Sequence, residues 1–208
     1  MEFCDGRRGG GRAMSKFEFF MGFYGILLGI GLAELLLGFG KLIRARTRPK
    51  IGLLTPAVGV LVFLQLTASM IDAWLRLQNL RIDLIDLAIP IIIGVAYFLA
   101  AVTVTPDDHA AWPDLDDYFF ARRNWILGPV IGVFFLTLAI EIPSTIHMIE
   151  QSQWEKLTHY IGLNSAGLIA FLVAWRSKRP QIVLAGIVGW IATLIFIYSI
   201  YLRVLGLS

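Results

Sequence analysis

Apolar residues in this chain fall in blocks of about 20 and are not spread at amphipathic spacing. Six such blocks, 17–43, 51–75, 84–104, 125–146, 157–175 and 181–205, each read as a helix that is apolar nearly all round. The pattern predicts an all-α integral membrane protein, a single bundle of six transmembrane helices joined by short loops. Residues 17–208 form its one domain, and 1–16 read as a disordered basic tail. The stretch 1–13 is Gly- and Arg-rich with no apolar segment of signal-peptide type, and Met14, opening MSKFEFF, reads as an alternative start.

The first block is the longest. At about 1.5 Å per residue it spans roughly 40 Å, more than the ~30 Å of a bilayer core, so tilt or overhang is expected. Gly22, Gly25, Gly29 and Ala33 make a smooth stripe on which another helix is expected to pack. Gly31, Glu34, Gly38 and Lys41 form a second line beside it. A carboxylate in hydrocarbon is costly, so Glu34 is expected to be neutral and hydrogen-bonded to a neighbour, or to handle an ion.

The turns orient the chain. Lys41 and the 44–50 turn carry five Lys or Arg, and Arg176, Lys178 and Arg179 mark a second basic turn. By the positive-inside rule the 44–50 and 176–180 turns are cytoplasmic and both termini lie outside, in a plasma membrane of bacterial inner-membrane type. Pro49 is read as opening the second span. In the connection 105–124 an interfacial helix around Tyr118 to Phe120 leads into the fourth span. Its aspartates, Asp107, Asp108, Asp114, Asp116 and Asp117, lack EF-hand spacing and are placed to dock on the basic first turn.

Composition narrows the class. With 57% hydrophobic and 16% charged residues the chain has too little polar surface for a soluble domain of this size. The net charge of +3 comes mainly from the turns, which argues for lipid as partner and against nucleic acid. One cysteine, Cys4, excludes an intrachain disulfide and a thiolate metal cluster.

The ionisable groups are the functional clue. Gln65, Ser69, Asp72 and Arg76 recur at helical spacing down the second span, with Asp72 and Arg76 able to pair at i,i+4. Asp83 and Asp86 stand where helix capping accounts for them. Glu141 lies two residues before Pro143, which leaves the Ala139 carbonyl without its usual donor. That pairing suits a cation or a proton, or a kink satisfied by Thr137, Ser144 or Thr145. His147 and His159 flank a turn carrying Glu150 and Glu155 and are metal-capable by residue type, but no HExxH-like signature accompanies them. Trp190, Thr193 and Tyr198 read as packing or interfacial residues. No cofactor is predicted, and His147 and His159 are the candidate metal ligands.

An up-and-down bundle of six spans puts Asp72, Asp86, Glu141, His147 and His159 at one end, with Glu34 deeper. These six residues form the expected polar vestibule or proton and cation path. Three functions fit. A non-enzymatic accessory or assembly subunit, working as a homo-oligomer or in a larger membrane complex, explains the absence of motifs. A proton- or cation-linked channel or carrier explains the acids. A metal-dependent membrane enzyme requires the histidines to converge with acids.

Overall fold

The computed structural model describes residues 15–45, 49–76, 84–108 and 111–204. Within them the chain is all-helical, with α1 (Lys16–Arg44), α2 (Leu54–Arg76), α3 (Leu84–Thr103), α4 (Leu115–Ile140), α5 (Ile142–Glu150), α6 (Trp154–Arg176) and α7 (Pro180–Val204). The six expected helices are therefore seven among the described residues. Five of them, α1, α2, α4, α6 and α7, are long and apolar enough to cross a membrane. The apolar part of α3, Leu87–Thr103, is shorter. The basic tail 1–13, Met14 and Asp83 lie outside the described residues.

The extra helix arises at Glu141. Pro143 has no N–H to give the Ala139 carbonyl and its ring crowds the preceding turn, so α4 stops at Ile140 and α5 restarts at Ile142. The Glu141 N–H still reaches the Thr137 carbonyl at 3.0 Å, so the helix is interrupted and not abandoned. The interfacial helix expected before the fourth span is, conversely, continuous with it. Leu115, Tyr118, Phe119, Ile126, Leu127, Val130 and Val133 are all buried and fall on one helical face, and that unbroken face holds α4 together from Leu115 onward.

Local signals set the other ends. Ser15 caps α1 in a reciprocal box: its hydroxyl accepts from the Glu18 N–H at 3.1 Å, and Glu18 Oε2 accepts from the Ser15 N–H at 2.7 Å. Helix α2 begins at Leu54, later than Pro49 suggested, because Lys50 is held extended against the start of α4. The Lys50 N–H donates to the Pro113 carbonyl at 2.7 Å and the Leu115 N–H to the Lys50 carbonyl at 3.1 Å. A salt bridge of 3.1 Å between Lys50 Nζ and Asp114 Oδ2 closes the clasp. Contact with Asp114 raises the Lys50 pKa by hydrogen bonding and charge. The Asp114 carboxyl is held below its ordinary range, first by the Asp116 N–H and then by Lys50. Lys41 and Asp107 also approach, at 3.5 Å, but both are exposed and such a pair contributes about 0–1 kcal/mol.

Packing divides the bundle into two parts. Helix α1 lies against α3 and α2, and α3 against α4, while α6 and α7 form a tight antiparallel hairpin that docks through α7 on α2 and through α6 on α4. In that hairpin a Cβ at Gly186 would overlap the Ala170 carbonyl and crowd Ala174, and one at Gly189 would press on Ala170. Two backbones can come this close only because the facing residues are small. On α1 the chain itself uses only part of the expected packing stripe. A Cβ at Gly25 would meet Met70 at 3.6 Å, while Gly22 and Gly29 have nothing among the described residues within 4 Å and are exposed with Ala33. The second line supplies the closer contacts: Gly31 meets Leu66 and Phe98, and Gly38 leaves room only for Thr105. Large apolar side chains such as Phe19, Ile26, Trp125 and Ile169 are exposed around the outside, as expected of faces turned to lipid.

Candidate functional site: a carboxylate and tyrosine cavity

The polar line of α2 faces inward, and three of its members, Gln65, Ser69 and Asp72, are each met by a tyrosine from a different helix. Gln65 Oε1 accepts from the Tyr97 hydroxyl of α3 at 2.9 Å. Ser69 Oγ and the Tyr24 hydroxyl of α1 are 2.5 Å apart. Asp72 Oδ2 accepts from the Tyr198 hydroxyl of α7 at 2.7 Å. A fourth pair repeats the motif at the helix break, where the Tyr160 hydroxyl of α6 donates to Glu141 Oε2 at 2.7 Å. Hydrogen bonds between membrane helices average roughly 0.6 kcal/mol, so four of them add little stability beside packing. Their main effect is to fix where each oxygen points.

All eight of these residues line one cavity of about 920 Å³, enclosed by α1 to α7. It is graded in polarity. The carboxylates Asp72 and Glu141 stand near the ends of α2 and α4, with Thr137, Ser144, Thr145 and Asn164 nearby in the lining. Seven residues deeper along α2, about 10 Å, lies Gln65. At the level of α7 two turns and more below Tyr198 is an aromatic floor: Trp190 is edge-on to Phe134 at 5.2 Å and to Phe171 at 5.1 Å. Trp190 is 4% exposed, and its indole Nε1 has no hydrogen-bond partner among the described residues. The charged side chains in the lining are the two acids. Helix α5 closes part of this end, turning Ser144, Thr145 and Met148 to the cavity while Ile142, Ile146 and Ile149 face outward. Away from this end the bundle is solid, with Val58, Leu61, Val62, Ala100, Ile126, Leu127 and Val130 fully buried.

Of the six residues expected to form the vestibule, the cavity brings together Asp72 and Glu141. Glu34 is exposed on α1 and does not line it. His147 is exposed on α5, its Nε2 2.9 Å from the Gln151 amide and its Nδ1 3.8 Å from Glu150. His159 is exposed on α6, with Nδ1 3.0 Å from the Glu155 carbonyl in its own helix. Among the described residues no group of three His, Cys, Asp or Glu side chains converges. The side chains of Asp86 and Arg76 lie outside the described residues, and with them the expected Asp72–Arg76 pair. Tyr24, Tyr97 and Tyr160 were missed, and Tyr198 was read only as a packing or interfacial residue. A phenol placed inside an apolar span needs a partner for its O–H, and that was the available signal.

No protein-family model matches this chain, and neither does any curated protein or solved structure.

Proposed function

We propose that the chain is a six-crossing plasma-membrane protein, of bacterial inner-membrane type, that acts as a small cation-linked carrier. In this reading α3 supplies the sixth crossing, the basic turns near Lys50 and Arg176 are cytoplasmic, both termini are outside, and the cavity opens on the outer side. One observation carries the reading: Asp72 and Glu141, from separate helices, line the same cavity, each with a tyrosine hydroxyl fixed on one oxygen. Intramembrane acids facing a shared space mark cation and proton sites more often than packing sites. The interrupted helix supports it further, since a break at Glu141 places an acid beside backbone that can rearrange. The test is flux of protons and of cations into proteoliposomes. Native protein should show flux that is lost in folded Asp72→Asn and Glu141→Gln variants, and its absence from native protein would refute a carrier.

A second reading, a non-enzymatic assembly subunit, is favoured by a different face. Gly22, Gly29 and Ala33 are exposed on one side of α1, and nothing among the described residues packs on the glycines. Cross-linking in nanodiscs decides it: an assembly subunit should lose its higher-order species in a Gly22→Leu, Gly29→Leu variant, and a carrier working alone should be unchanged.

A further inference from the structure

We infer that the cavity takes an organic ammonium with an aromatic or aliphatic body. The inference rests on the cation reading above and names the class of cation. A proton or a bare metal ion would use the two acids and leave the aromatic floor and most of the 920 Å³ without contacts. That volume lies within the range for small-molecule sites, which are mostly apolar with a few placed polar groups. Here the two acids stand near the ends of α2 and α4, and Trp190 lies eight residues below Tyr198 on α7, about 12 Å deeper. An ammonium set at the acids therefore extends its body toward Phe134 and Trp190, where ring faces also favour cationic and apolar groups.

The predicted ligand thus has a cationic head and an apolar body of about 10 Å. The same ammonium could arrive on a zwitterionic lipid, but its phosphate would sit against two carboxylates, so a freely diffusing amine is assigned.

Calorimetric titration of the full chain in phosphatidylglycerol nanodiscs tests this, with 3-phenylpropylammonium and its 4-methoxy derivative as probes and 3-phenylpropanol as the neutral control. Both amines should bind, and the alcohol at least about tenfold more weakly. Folded Asp72→Asn should weaken both amines by about tenfold or more. Equal binding of amine and alcohol to native protein, which needs no variant to fold, would overturn the inference. Displacement of the probes by phosphatidylethanolamine in the disc would overturn the free-amine assignment. Amine binding without flux would remove the carrier reading alone; cation flux without amine binding would remove this inference alone.

Discussion

Tyr198 donates a 2.7 Å hydrogen bond to Asp72 across 126 residues of sequence and thereby ties the α6–α7 hairpin to α2. The same hydroxyl lies 3.5 Å from the Ala68 carbonyl one turn away. The bond sits where the two parts of the bundle meet beside the cavity, so it orders the acid and the interface together.

Removing that hydroxyl should change function more than stability. Tyr198→Phe and Tyr160→Phe each delete one interhelical hydrogen bond, expected to lower the unfolding free energy in detergent by only about 1 kcal/mol. Each leaves a cavity acid without its fixed donor, so amine affinity or flux should fall several-fold with KM affected. Thermal unfolding and transport on the same preparations check the split. A large loss of stability with unchanged transport would make the tyrosines structural.

The glycines divide into two groups with opposite expectations. Gly186→Ala pushes a methyl into the Ala170 carbonyl and Ala174, so the α6–α7 hairpin must separate, at a cost of about 1–3 kcal/mol. Gly132→Ala, with nothing within 4 Å, should be neutral or stabilise its helix by roughly 0.5–1 kcal/mol. Chemical unfolding in mixed micelles distinguishes the two.

The Lys50–Asp114 clasp predicts a pH window. Asp114 is depressed in the folded state, so its contribution is complete above the unfolded value of about 3.9 and is lost as pH falls through the folded one. Lys50 is raised, so its contribution is complete below about 10.4 and is lost as pH rises through the folded value. The difference in unfolding free energy between native protein and Asp114→Asn should therefore be flat between about pH 5 and 9 and shrink on either side. A difference independent of pH from 3 to 11 would contradict the ion pair.

How much was legible in the sequence differs from residue to residue. The apolar blocks were read because lipid demands them, and the line Gln65, Ser69 and Asp72 because helical spacing alone defines it. Its partners could not be read, since Tyr97, Tyr24 and Tyr198 come from three other helices and only packing brings them to α2. The two small-residue lines of α1 have the same spacing, and which one is buried depends on Leu66, Phe98 and Thr105, residues far away in the chain. The break at Glu141 was half-visible: Pro143 announced a kink, but a stop and restart depends on how α5 settles over the cavity. The Ser15–Glu18 capping box was present at the S-x-x-E spacing and went unused in placing the start of α1.

The most direct measurement is carbodiimide labelling of the purified full chain in nanodiscs, mapped by peptide mass spectrometry with and without the methoxy-phenylpropylammonium probe. Glu34, exposed on the outer face of α1, is the internal control. The expected result is that the probe slows modification of Asp72 and Glu141 several-fold and leaves Glu34→Gln and native protein alike in cavity protection, with labelling at Glu34 itself unchanged. Modification of Asp72 and Glu141 at the same rate with and without the probe would contradict a cation held between them in this cavity.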